Sequence, residues 1–168
     1  MELPEFTFLT EKGILKLKCT DIVEPNNGRM LYKVDLFLDD KNLTKEYFDD
    51  WNYINFYLNQ YSPTNNEWIY IPKESNHFLI KISTLEKIEL PYLALSAVTF
   101  IKNIFINDYL IVLCSDQIIF KNLINETVRK MEKDEKNIYF SELHILDSGK
   151  IEIKFSDSSS KMIDLNDF

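Results

Sequence analysis

Hydrophobic and polar residues alternate strictly near the start of this chain. Leu15, Leu17 and Cys19 alternate with Lys16 and Lys18. A period of two places apolar side chains on one face of a β-strand and lysines on the other. Met30, Tyr32, Val34, Leu36 and Leu38 repeat the pattern. Between them lies Glu24-Pro25-Asn26-Asn27-Gly28, whose Asn and Gly residues suit the positive φ of a tight reversal. Residues 13 to 38 therefore predict an antiparallel hairpin.

The period changes after Leu43. Tyr47, Trp51, Ile54 and Leu58 fall at i, i+4, i+7 and i+11, one stripe of a helix over Leu43–Gln60 with Thr44 as its N-cap. The rival is a strand at Tyr53–Leu58, because Asn, Tyr and Phe are poor helix formers. Ser62-Pro63-Thr64-Asn65-Asn66 ends the element. Short strands follow at Glu67–Pro72 and His77–Ser83. A meander is expected over Val98–Ile106, Tyr109–Ser115 and Gln117–Leu123. Tyr109–Cys114 is apolar without alternation, which marks a strand covered on both faces. The charged stretch Asn125–Asn137 fits either a surface helix or a loop. Strands at Ile138–Leu146, Ile151–Phe155 and Lys161–Leu165 close the chain. No Pro-, Ser- or Gly-rich linker interrupts it, so residues 1–168 read as a single domain.

Composition narrows the class. There are 20 Ile and 20 Leu but 2 Ala and 3 Gly. So little alanine disfavours a helical bundle, and so little glycine disfavours the phosphate-cradling loops of nucleotide enzymes. The expected fold is α+β: a twisted antiparallel meander of about ten short strands with one main helix packed on it. The alternative is a β-sandwich with a peripheral helix. The net charge is −8, which argues against direct nucleic-acid binding and suits a basic partner. No apolar run is long enough for a membrane span, and no signal-peptide pattern stands at Met1–Thr20. A cytoplasmic protein without membrane association is the expectation. Cys19 and Cys114 lie in apolar runs and read as buried, reduced thiols.

The sequence carries no catalytic or metal-binding pattern. His77 and His144 each lack a second His at i+2 to i+4, and no G-x-S-x-G elbow is present. A site assembled across the fold from His77, His144 or distant carboxylates stays open. The acidic clusters match no calcium-loop spacing and read as solvated faces or turns. The expectation is a non-enzyme with no cofactor and no metal. The richest segment is Asp49-Asp50-Trp51-Asn52-Tyr53-Ile54-Asn55-Phe56-Tyr57-Leu58. On a helix, Trp51, Ile54 and Leu58 would face the core, while Asp50, Tyr53 and Tyr57 would share another face. Asp49, Asp50, Tyr53 and Tyr57 are therefore the candidate partner-binding residues, acids for encounter and aromatics for anchoring. The competing reading packs all these aromatics inward. Trp68 and Tyr70, which share one strand face, are the candidate surface aromatics of a small-ligand or carbohydrate-binding domain.

The chain resembles bacterial immunity proteins of polymorphic-toxin and contact-dependent inhibition systems. The shared features are small size, acidity, aromatic richness and an α+β strand pattern. The stretch Thr99-Phe-Ile-Lys-Asn-Ile-Phe-Ile-Asn-Asp-Tyr-Leu-Ile-Val-Leu-Cys-Ser-Asp116 is the part most similar. The resemblance implies a protein that neutralises a cognate, basic toxin domain by covering its substrate-binding or catalytic region with an acidic surface. It carries over no site residues.

Overall fold

The computed structural model describes residues 2–23, 31–55, 61–73, 76–90, 100–133, 138–146 and 149–167. Within them the chain is mostly antiparallel β-sheet with one short α-helix, as the alternating patterns require. The described residues hold fifteen strands in four open sheets rather than about ten strands in one. The strands that the sequence pattern did not reveal are Glu5–Thr10, Lys41–Asn42, Lys87–Leu90 and Val128–Glu132, while Tyr53–Asn55 falls within the rival strand at Tyr53–Leu58. The turn expected at 24–28, and residue Tyr57, lie outside the described residues.

The chain forms two compact units, Met1–Phe56 with Pro63–Ser96, and Tyr57–Ser62 with Ala97–Phe168. In the first unit, β1 (Glu5–Thr10), β2 (Gly13–Val23) and β3 (Leu31–Leu38) run as successive antiparallel neighbours. The expected hairpin is in place, with Leu17 opposite Leu36 and Cys19 opposite Val34. Leu15, Leu17, Cys19, Val34 and Leu36 are buried, so the period of two marks the inner face correctly. Beyond β3, two short strands share one edge. β4 (Lys41–Asn42) pairs with its end at Phe37–Leu38, and β5 (Tyr53–Asn55) with its start at Leu31–Lys33. A second sheet follows in the order β6 (Trp68–Ile71), β7 (His77–Lys81), β8 (Lys87–Leu90).

The helix is shorter than expected. α1 spans Thr44–Phe48, five residues, where the stripe predicts Leu43–Gln60. Its N-cap position is Leu43, with no capping side chain, because the Thr44 hydroxyl accepts the Leu36 N–H instead (2.9 Å). Tyr47 and Phe48 bury themselves, the Tyr47 hydroxyl donating to the Leu85 carbonyl (2.5 Å) and Phe48 meeting Phe78 edge-on at 5.4 Å. The chain then reverses, and Ile54, the third residue of the stripe, is buried on a strand instead. Asn and aromatic residues are weak helix formers, the aromatics are at home in strands, and β5 gains a sheet partner by extending.

In the second unit, β9 (Phe100–Ile106), β10 (Tyr109–Cys114), β11 (Gln117–Asn122) and β12 (Val128–Glu132) form the expected meander plus one more strand. Residues Leu110 to Cys114 are all buried, consistent with a strand covered on both faces. The segment at 128–132 is neither helix nor loop but the edge strand beside β11. A three-stranded sheet of β13 (Phe140–Ile145), β14 (Lys150–Phe155) and β15 (Ser160–Asp164) shares a core with β10 and β11. Ile111, Leu113, Ile118 and Phe120 pack there with Leu143, Ile151, Ile153 and Ile163. The buried Asn103 amide donates to the Ser62 carbonyl (2.6 Å) and accepts its N–H (3.0 Å), fixing residue 62 to this unit. Both cysteines are free and buried, and burial pushes each thiol up to about 12.

His77 opens β7 and is buried, sharing a 2.5 Å hydrogen bond between its Nδ1 and the Tyr70 hydroxyl. Burial lowers its pKa from 6.5 to about 4. Between those values the unfolded chain binds a proton that the folded chain refuses, so stability must fall as pH drops through the window. The loss expected between pH 7 and pH 5 is about 2 kcal/mol. Urea unfolding of the parent and of His77→Gln at both pH values checks this. The variant should lack that part of the pH dependence.

Candidate functional site

The expected partner-binding residues fall in the segment between β4 and β5. Both of these strands lie along one edge of β3, so the ten residues from Leu43 to Asn52 arch over the middle of that edge. The backbone groups there still need partners. The Leu36 carbonyl accepts the Leu43 N–H (2.7 Å), and the Leu36 N–H goes to the Thr44 hydroxyl. The Val34 N–H goes to the Asn52 carbonyl (2.9 Å), and the Asn52 side-chain amide donates to the Val34 carbonyl (2.5 Å). Thr44 and Asn52 thus replace the missing stretch of strand from either end of the arch.

Between these two clamps lies an open groove of about 680 Å³. Asp35 contributes from the outward face of β3, and its Oδ1 accepts from the Asn52 amide (3.3 Å) and the Thr44 hydroxyl (3.5 Å). Glu46 contributes from α1, and Asp49 and Asp50 from the turn after it. Four carboxylates face the amines of Lys33 and Lys45, with Lys73 paired to Asp49, so the groove is net acidic by one charge.

Asp49 sits at φ 57° and ψ −134°, and the Trp51 N–H bonds back to the Phe48 carbonyl (3.3 Å). These are the dihedrals of the first central position of a type II′ turn, where glycine is the unstrained choice. An Asp held there costs about 1–3 kcal/mol, which the clamps on either side must sustain. Its carboxylate, 78% exposed, lies 3.6 Å from the ammonium of Lys73, whose side chain is only 8% exposed. Trp51 follows, 48% exposed, with its ring 4.7 Å from that of Tyr53 at a tilt of 42°. Tyr53 is half-buried on β5.

Of the four candidates, Asp49, Asp50 and Tyr53 therefore come together around one turn, and Tyr57 lies outside the described residues. Their helical arrangement is corrected: the helix ends at Phe48, so Asp50 and Tyr53 are not on one helix face. Trp51, expected in the core, stands out of it. Asp35, Glu46 and Asn52 were missed as groove residues. Asp35 had a signal, since it lies at a polar position of the alternating β3 pattern.

The other candidate chemistry resolves into structure. Trp68 is 7% exposed and Tyr70 is fully buried, so these rings are core and not a ligand-stacking surface. His144 Nε2 and Lys154 Nζ both approach Glu142 Oε2, at 2.8 Å and 3.3 Å, on the exposed face of β13 and β14. The hydrogen bond from His144, then that from Lys154, lowers the Glu142 pKa. The Asp157 carboxylate closes a turn by accepting the N–H and hydroxyl of Ser159. Among the described residues, no group of three or more His, Cys, Asp or Glu side chains is placed to hold a metal ion. Among the described residues, no helix is long and apolar enough to cross a membrane.

The strained turn yields a direct test. Asp49→Gly relieves the positive φ and loses the weak ion pair, whereas Asp49→Ala loses the pair and keeps the strain. The glycine variant should be more stable than the alanine variant by about 1 kcal/mol, after the greater unfolded-state entropy of glycine is deducted. Paired denaturant titrations measure the difference, and equal midpoints would contradict the strained geometry.

Compared with known proteins, the chain matches no protein-family model and no curated protein sequence.

Proposed function

We propose that this protein is an immunity protein that binds and neutralises a basic toxin domain, and that the groove between α1 and β3 is where it meets that partner. The observation that carries the reading is the convergence of Asp35, Glu46, Asp49 and Asp50 on one groove. Glu46, Asp49 and Asp50 are exposed, and gathering like charges beside Asp35 costs energy through their mutual repulsion. A cationic partner turns that cost into attraction. The net charge of −8 extends the attraction beyond contact range, and steering of this kind speeds encounter. Inhibition needs no chemistry from the inhibitor, only occlusion of the toxin's working surface. That agrees with the absence from the sequence of any nucleophile, nucleotide or metal motif.

Co-expression with the protein encoded immediately upstream is the test. That protein should be toxic alone, and harmless and bound in a complex when this chain is present. A neighbour that is not toxic, or that stays toxic and unbound, would defeat the proposal. Given a complex, replacing Asp50 with Asn and Glu46 with Gln together should slow association several-fold and leave dissociation nearly unchanged. The association rate should also fall with salt as the Debye length shrinks from about 10 Å at 0.1 M to about 3 Å at 1 M. A rate indifferent to salt would remove the electrostatic part of the reading.

A further inference from the structure

We infer that Trp51 is the anchor of this surface and that it receives an arginine side chain of the partner. The inference rests on the binding role proposed for the groove and adds to it a residue and a chemistry.

The position of Trp51 is not that of a ring left outside for want of room. It is the last residue of the turn that carries Asp49 and Asp50, tied back by its N–H to Phe48. The next residue, Asn52, is held to Val34 through both backbone and side chain. The backbone under the ring is thus fixed from both sides. The ring itself packs with that of Tyr53 and is 48% exposed. An exposed indole on a rigid support has already surrendered much of the freedom that binding would otherwise cost. Tryptophan is, with tyrosine and arginine, one of the residues enriched at interface hot spots.

The neighbours of Trp51 specify what it receives. Two carboxylates precede it directly, so a purely apolar occupant would have to bury or dehydrate them. A cation satisfies both features, by lying on the negative face of the indole and pairing with the acids. Arginine fits better than lysine. Its guanidinium is planar, stacks flat on an aromatic ring and still directs N–H donors in its own plane toward a carboxylate. A lysine ammonium is a compact, strongly hydrated charge that must choose between ring and carboxylate.

The protein provides its own reporter. Trp51 and Trp68 are its two tryptophans, and Trp68 is buried at 7% exposure, so quenching by a surface ligand reads Trp51. Nona-arginine and nona-lysine peptides, titrated at low salt into the full-length protein, are the probes. Nona-arginine should quench the emission and bind several-fold more tightly than nona-lysine. Trp51→Ala should weaken nona-arginine binding about tenfold, read by calorimetry. Trp51→Tyr, a conservative change, should restore most of the affinity and shows that any loss in the alanine variant is not misfolding. Equal affinities for the two peptides, or equal affinities of parent and alanine variant for nona-arginine, would overturn the inference. The toxin-neutralising role fails or stands separately. If the upstream-encoded protein binds the parent and Trp51→Ala equally well, the anchor is wrong and the role survives. If that protein does not bind at all, the role is wrong, and the peptides still decide whether the turn selects arginine.

Discussion

The middle of β3 must find hydrogen-bond partners along an edge where its neighbours are too short to reach. β4 and β5 cover only the two ends of that edge. Val34 and Leu36 lie between them, fully buried, and a buried backbone group left unpaired costs about 1–3 kcal/mol. Thr44 and Asn52 supply the partners. Each is a short polar side chain that imitates backbone, and each sits at one end of the arch. A hydrophobic residue at position 44 would leave the Leu36 N–H without that partner, and one at position 52 would do the same to the Val34 carbonyl. The demand of one strand edge therefore fixes where α1 begins, where the chain returns, and how much chain can lie between.

The shape of the groove follows from that constraint. Ten residues must leave β3 and come back to it, which a regular strand cannot do. Five of them form one and a half turns of helix, far too short to be stable alone. Burial of Tyr47 and Phe48, with the Tyr47 hydroxyl bonded to Leu85 and Phe48 against Phe78, holds the helix down. The return then needs a tight reversal, and Asp49 accepts a positive φ to make it. The strain at Asp49 is thus the local consequence of two fixed ends. It also gives the carboxylates a fixed direction, which a flexible acidic loop would lack.

Much of the fold is legible in the sequence because a half-buried strand needs one residue type per face. Leu15-Leu17-Cys19 and Val34-Leu36 show this, and so does the unbroken apolar run Tyr109–Cys114. The failures have physical causes. The stripe Tyr47-Trp51-Ile54-Leu58 fits a helix by spacing, but spacing does not register that β3 offers backbone partners to Asn52 and Ile54. Val128–Glu132 has no alternation because it is an edge strand. Its Arg129 and Lys130 are exposed, and charges on an edge discourage pairing with another chain. Trp68 and Tyr70 share a strand face as expected, but whether such a face meets solvent or core depends on what packs over it. Of the groove, Asp49 and Asp50 were visible as part of an unusual acid-plus-aromatic segment. Asn52 was not, because its importance comes from its bonds to Val34, 18 residues earlier in sequence.

Acids and aromatic rings play separable parts at such a surface. A net charge acts over a Debye length and needs no particular geometry, so it governs how often a partner arrives. An aromatic ring acts over contact distance and needs its backbone held still, so it governs how long the partner stays. Charge alone would bind any polycation weakly. A ring alone would invite any apolar surface. In this fold the two are joined by a turn of four residues, Phe48 to Trp51, and the hydrogen bonds of Thr44 and Asn52 that flank the turn also complete β3. A substitution at Asn52 would therefore loosen the ring and the acids together without removing either, and the strand edge would lose its partner in the same step.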